Sequence, residues 1–168
     1  QNTYNPTPAD QEILKDKDLS FRVLPLQNPW QDSRASYFHK NLGGYHGAKF
    51  RRYQEMIDIP FTAERKIIVD ALSQANATPQ SIFNAFSRIP ALNMLNTKYL
   101  IYDNNADPLL NPYALGNAWF VQDIRVVPDA DAEIEALSGF NPDSLAIVDQ
   151  RFSEYLSSHP VQPGQPGG

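Results

Sequence analysis

The sequence contains no cysteine in its 168 residues. This absence excludes disulfide bonds, thiolate zinc sites and catalytic cysteines, and it leaves the redox state of the compartment open. No serine lies in a G-x-S-x-G motif, and no glycine pattern matches a phosphate-binding or dinucleotide-binding loop. The three histidines, His39, His46 and His159, form no metal-ligand motif with nearby carboxylates. The sequence therefore predicts no catalytic residue, no metal site and no cofactor.

Two further features are missing, a surplus of positive charge and a long apolar run. The net charge is -5, which argues against nucleic acid as a partner because a nucleic-acid binder needs a cationic surface. No apolar run approaches the roughly 20 residues of a membrane helix, so we expect no bilayer span within this chain. The chain starts at Gln1 without an apolar export leader, and we expect it to be a piece of a longer protein.

The composition predicts one folded, loop-rich domain. Hydrophobic residues make up 42% of the chain and charged residues 20%, as in ordinary globular proteins, while 14 prolines indicate many interrupted elements. We predict a single soluble domain over residues 1–159. The Pro/Gly-rich residues 160–168 are predicted to be a linker toward a further domain.

Sequence patterns predict an α/β fold, with α+β as the alternative, built on a small mixed or mostly parallel sheet of about four strands. The predicted helices are Pro8 to Lys17 after a Thr7 cap, Ala48 to Asp58 with Phe50, Tyr53 and Ile57 buried, Thr62 to Ala75 with Thr62 as cap, Thr78 to Ile89, Asp129 to Gly139, and Phe152 to Ser158. The predicted strands are Phe21 to Leu24, Tyr99 to Tyr102, Trp119 to Val127 and Leu145 to Val148. The last two strands flank a helix, so they are predicted to be parallel with a right-handed crossover.

Two acidic motifs allow a metal hypothesis and a simpler one. Asp129-x-Asp131 has the spacing of a transferase metal motif, but acids before a helix also cap it and complement its dipole. The segment Asp103 to Asp107 begins like a calcium loop, but Pro108 replaces the required glycine. We interpret the first as a helix cap and the second as a polar turn.

The segment Ser33 to Gln54 (SRASYFHKNLGGYHGAKFRRYQ) is cationic and contains no acid. Its glycines precede a predicted helix, where backbone N–H groups and nearby cations favour anion binding and aromatic rings favour stacking on a sugar. The candidate ligand-binding residues are Arg34, Tyr37, His39, Lys40, Gly43, Gly44, Tyr45, His46, Lys49, Arg51 and Arg52. The alternative is that the aromatic residues lie in the core, the glycines form turns and the cations pair with acids.

Three motifs carry a family resemblance. They are Ser36 to Glu55 (SYFHKNLGGYHGAKFRRYQE), Leu92 to Ile101 (LNMLNTKYLI) and Asn111 to Val121 (NPYALGNAWFV). In this order, across about Phe21 to Phe152, they resemble segments of YfhO-type bacterial multi-pass membrane proteins, particularly the Bacteroidetes-like branch.

The resemblance implies a periplasmic domain of an inner-membrane protein, with the parent membrane domain as its partner. Proteins of this type are thought to be glycosyltransferases that take a sugar from a polyprenyl phosphate and modify cell-envelope glycans. Their catalytic acid is expected between early membrane helices, so no catalytic residue is carried over to this chain. The domain would help to hold the acceptor glycan or the donor phosphate. The alternatives are a structural module that docks on the membrane parent or on a partner protein, and a free-standing periplasmic enzyme.

Overall fold

The computed structural model describes residues 4–31, 33–44 and 48–158. Helix α1, Pro8–Ile13, begins where the sequence predicts, because Thr7 and Asp10 form a reciprocal capping box. The Asp10 carboxylate accepts the backbone N–H of Thr7 at 2.7 Å. The helix ends at Ile13, short of the predicted end near Lys17.

The main sheet has three strands in the order β1-β2-β3, with β1 at Arg22–Pro25, β2 at Thr97–Ile101 and β3 at Leu109–Leu110. Strand β1 pairs with β2 in parallel, and β3 pairs with β2 antiparallel. Leu24 lies opposite Leu100, and both side chains are fully buried. The centre of the sheet is therefore part of the main hydrophobic core.

The long connection from β1 to β2 is helical. It contains α2 at Arg34–Phe38, α3 at Arg51–Met56, a π-helical turn at Ile57–Phe61, α4 at Thr62–Ser73, α5 at Pro79–Phe86 and α6 at Pro90–Met94. Its fully buried side chains Phe61, Ile68, Ile89 and Leu92 belong to the same cluster as Leu24 and Leu100. These helices therefore pack on the sheet through one shared hydrophobic core.

The prediction of separate helices at Ala48 to Asp58 and from Thr62 onward is wrong. The π turn joins α3 to α4 around Pro60, and the Thr62 hydroxyl donates to the Ile57 carbonyl at 2.6 Å instead of capping a new helix. Burial of Phe61 holds this turn against the core. The predicted burial of Phe50 is also wrong, because its side chain precedes α3 and is 89% exposed.

Helix α6 has no counterpart in the sequence prediction, which has one helix from Thr78 to Ile89 and none after it. Helix α5 ends at Phe86, and Pro90 is the first residue of α6, a position at which proline is favoured. The start of α6 is capped from another helix. Glu64 of α4 accepts the backbone N–H groups of Ala91 and Leu92 at 2.9 and 2.8 Å.

The C-terminal part forms a second sheet of two parallel strands, β4 at Asp123–Val127 and β5 at Leu145–Asp149, joined through α7 at Ala130–Ala136. This arrangement confirms the predicted strand-helix-strand unit. The Asp129 side chain accepts the Ala132 N–H at 2.8 Å, which confirms its interpretation as a helix cap. The prediction of a strand from Trp119 onward is wrong at its start, because β4 begins at Asp123. Strand β5 is mostly half-buried.

A short 3-10 turn at Gln150–Phe152 and helix α8 at Ser153–Ser158 follow β5. The predicted α/β class with a small mixed sheet is confirmed, and the five strands of the described residues divide between two sheets. No helix within the described residues is long and apolar enough to cross a bilayer. The predicted linker lies outside the described residues.

Candidate functional site

The glycines of the cationic segment are held against the loop that follows β1. An added Cβ at Gly43 would lie 1.7 Å from the Pro29 carbonyl oxygen, so only glycine fits there. Gly44 donates its N–H to the same oxygen at 3.0 Å and has a φ of +96°. Trp30 then packs on Phe61, with the ring centroids 6.2 Å apart. The loop is therefore anchored to the core through Trp30.

Two of the candidate residues, Arg34 and His39, meet at the buried carboxylate of Asp10. The guanidinium of Arg34 forms an ion pair with Asp10 and also donates to the Thr7 hydroxyl at 3.0 Å. The Nε2 atom of His39 lies 2.9 Å from the Asp10 carboxylate. Both residues therefore join α2 and the residue after it to the start of α1.

The protonation states of Asp10 and His39 follow from burial and from the hydrogen bonds and charges around them. Burial raises the pKa of Asp10, but hydrogen bonds from Thr7 and His39 and the charge of Arg34 outweigh it, so the pKa is lowered. Burial lowers the pKa of His39 more than Asp10 raises it, and Arg34 lowers it further. At pH 7 Asp10 is thus charged, and His39 is neutral and donates its Nε2–H to Asp10.

The cations of α3 also bind acids. Arg51 bonds to Glu55 one turn later, with 2.8 Å between Nε and Oε1. Arg52 forms an ion pair with Glu133, which links α3 to α7. Arg34, Arg51 and Arg52 thus pair with acids, as the alternative interpretation of the cationic segment predicts. Tyr37 points outward, with its ring edge-on to Tyr4 and Phe38.

A cavity of about 300 Å³, here called the Gly43 cavity, opens beside the anchored loop. Lys49 lies in its wall, with Nζ 3.4 Å from the Trp30 carbonyl oxygen. The Tyr53 hydroxyl donates to the Leu42 carbonyl, and burial raises the pKa of this tyrosine. The described lining residues are Asn41, Leu42, Gly43, Ala48, Lys49, Phe50 and Tyr53.

Lys40 lies at a different cavity, of about 390 Å³, here called the Lys40 cavity. It borders the end of α1 and the loop into β1, and His39 forms part of its wall. Tyr45 and His46 lie outside the described residues. The structure thus distributes the candidate set over the Asp10 cluster, surface ion pairs and two cavities.

Sequence reasoning missed three members of this arrangement. The sequence indicates only that Asp10 lies in the first turn of a helix, and nothing near it in the chain indicates its partners Arg34 and His39. Phe50 was assigned to the core from helical spacing. Asn41 carried no chemical motif, although its position beside the glycines was a signal: its side chain accepts the Gly43 N–H at 3.1 Å.

No protein-family model, curated protein or solved structure matches this chain. The family resemblance of the three motifs therefore remains a prediction, and function is argued from the cavities and their chemistry.

Proposed function

We propose that this chain is a non-catalytic, ligand-contacting domain of a periplasmic-facing membrane glycosyltransferase, and that the Gly43 cavity holds a phosphate-bearing sugar. The observation that carries this proposal is the cavity itself. It lies within the segment that bears the longest family motif, and it combines cationic, amide and aromatic side chains in a concave site.

The wall chemistry matches the two parts of a sugar phosphate. Phe50 offers an exposed aromatic face, which suits the apolar face of a sugar ring. Lys49 carries three N–H donors, and the single long contact with Trp30 leaves donors for a phosphate. Gly43 lets this part of the wall pack directly against the loop after β1, because a side chain there would collide with the Pro29 carbonyl group.

The second candidate function is a structural module that docks on the membrane parent or on a partner protein. Exposure of Phe50 suits docking as well as ligand binding. A flat apolar patch would favour docking, whereas a concave site with a lysine favours a small ligand. We therefore propose ligand binding, ahead of docking, as the function of the Gly43 cavity.

The binding proposal is tested by titrating the chain with hexose 1-phosphates and with the matching free hexoses in a calorimeter. We expect the phosphates to bind more tightly. Phe50→Ala should weaken both ligands at least about fivefold, as loss of a central aromatic contact does. Lys49→Gln should weaken only the phosphates.

Matched controls separate the cavity from the general surface. Phe120→Ala removes an aromatic side chain that is 97% exposed outside this cavity. Lys66→Gln removes a lysine that is ion-paired with Asp70 on α4. Both controls should leave the affinities unchanged. Equal effects of Phe50→Ala and Phe120→Ala, or no binding by any hexose phosphate, would contradict the proposal.

The membrane context is tested separately, on the coding sequence that flanks this domain. We expect membrane-spanning segments to be encoded next to it. Their absence on both sides would overturn the glycosyltransferase and periplasmic parts of the proposal. The calorimetric result for ligand binding in the Gly43 cavity does not depend on this test.

A further inference from the structure

The Lys40 cavity is a second concave site, and it is separate from the Gly43 cavity in its lining. It lies between the end of α1, the loop into β1 and the end of α2. Its inner wall is apolar and includes Ile13, Phe21 and Phe38. Ile13 and Phe21 are buried parts of the smaller hydrophobic cluster, so this wall is part of the folded core.

The mouth of the cavity is also apolar, which is unusual for a loop in solvent. Leu19 is 78% exposed and Leu14 is also exposed, and both line the cavity. The His39 ring forms part of the wall and is fixed by its hydrogen bond to Asp10. A volume of about 390 Å³ lies in the range of sites that bind small molecules.

Two lysines at this cavity are available to a ligand. Lys17 and Lys40 both line it, and neither forms an ion pair with another residue in the part of the chain that the structure describes. The carboxylate of Asp16, by contrast, is already occupied by Lys98 at 2.6 Å and by the Tyr99 hydroxyl at 2.9 Å.

The second carboxylate at the cavity, Asp18, accepts the N–H and hydroxyl of Ser20 and has no lysine bound to it. Its charge opposes an anionic ligand. The balance of charge still favours an anion, because Lys98 already pairs with Asp16, and the two lysines Lys17 and Lys40 outnumber the remaining carboxylate of Asp18. An apolar cavity with unpaired ammonium groups is complementary to a molecule with an apolar body and an anionic head.

We propose that the Lys40 cavity binds small amphiphiles in which a short apolar chain carries a carboxylate or phosphate head. The chain fills the space between Ile13, Phe21 and Phe38, and the head lies at the mouth beside Lys17 and Lys40. The site does not depend on the function proposed for the Gly43 cavity, and the two use different lining residues.

The test uses the full chain and decanoate, decyl phosphate, decanol and decyltrimethylammonium, each below its micelle concentration. Calorimetry should give tighter binding for the two anions than for the alcohol or the cation. Octanoate should bind more weakly than decanoate, by up to about fourfold for each methylene removed. Amide chemical shifts should move in residues 13–21 and 38–40.

Three variants determine which groups hold the head. The double variant Lys17→Gln and Lys40→Gln should weaken decanoate at least about threefold and leave decanol unchanged. Asp18→Asn should strengthen decanoate, because it removes the opposing charge and keeps an oxygen for Ser20. Lys66→Gln is the matched control and should change nothing.

A further pair tests the apolar part. Leu19→Ser at the mouth should weaken both decanoate and decanol, whereas Leu110→Ser, at an exposed leucine on β3, should not. The proposal is overturned if the cation binds as tightly as the anions, if the double lysine variant leaves decanoate unchanged, or if only phosphatidylglycerol vesicles bind and monomeric decanoate does not.

Discussion

The Glu64 side chain provides a sharp test of the link between buried charge and stability. It is buried, and it caps α6 by accepting the N–H groups of Ala91 and Leu92. Burial raises its pKa from 4.5 to about 7, although the two hydrogen bonds act in the opposite direction. We predict that Glu64→Gln removes a pH dependence of folding that the native chain has.

The raised pKa of Glu64 determines how the unfolding free energy changes with pH. The folded state holds this proton more tightly than the unfolded chain, so the stabilisation is complete below pH 4.5 and is lost as the pH rises through about 7. A shift of this size corresponds to about 3 kcal/mol of unfolding free energy. Glutamine is neutral at every pH, as the protonated acid is, but its NH₂ group cannot accept the second backbone N–H, which should cost about 1–3 kcal/mol at all pH values. Relative to the native chain, the variant should therefore gain about 3 kcal/mol of unfolding free energy between pH 4.5 and pH 8.

The assay is urea denaturation of both proteins at several pH values between 4.5 and 8. Because the pKa of His39 is lowered, its contribution to the unfolding free energy rises with pH up to about 6.5. Both proteins contain His39, so this contribution cancels when their unfolding free energies are subtracted. Glu55→Gln, at a surface ion pair on α3, is the matched control and should change stability by less than about 0.5 kcal/mol. If the difference in unfolding free energy between the two proteins does not change from pH 4.5 to pH 8, burial does not raise the pKa of Glu64 and the reasoning is refuted.

Two further substitutions test the framework of the site. Asp10→Ala should lower the unfolding free energy by about 3–5 kcal/mol, because it removes the buried carboxylate that binds Thr7, Arg34 and His39; denaturation checks this, and a loss below about 1 kcal/mol would contradict it. Gly43→Ala should cost about 1–3 kcal/mol more than Gly116→Ala, since its Cβ would collide with the Pro29 carbonyl, whereas alanine at Gly116 meets nothing within 4 Å and is strained only by its φ of +78°; equal costs in the same assay would contradict the close approach.

Local signals account for the features that were predictable from the sequence. The caps at Thr7, Thr78 and Asp129 lie within three residues of the groups they bind, so their patterns suffice to place α1, α5 and α7. Alternating turn residues and apolar runs similarly predicted β1, β2 and β5 close to their observed positions. The parallel pairing of β4 and β5 followed from the helix between them.

The incorrect predictions concern effects that act over long distances in the chain. Pro60 and Thr62 have the local pattern of a helix end and a new start, but burial of Phe61 keeps the chain helical through a π turn. Likewise, the Asp10 partners Arg34 and His39 follow it by 24 and 29 residues, so no local pattern indicates that they meet.

The candidate site was predictable as a segment but not as a set of side chains. The excess of cations over acids singled out Ser33 to Gln54 as a candidate ligand-binding segment, and part of this segment lines a cavity. The partners of those cations depend on tertiary structure: Arg52 reaches Glu133 on α7, whereas Lys49 remains at the Gly43 cavity. Only the fold distinguishes a paired cation from one that is available to a ligand.

The most direct test of the proposed function is a crystal structure of the chain soaked with a hexose 1-phosphate. We expect the phosphate within hydrogen-bond distance of Lys49 Nζ and the sugar ring against Phe50, inside the Gly43 cavity. A sugar phosphate bound elsewhere, or a Gly43 cavity without it at concentrations that saturate binding in solution, would contradict the proposed function.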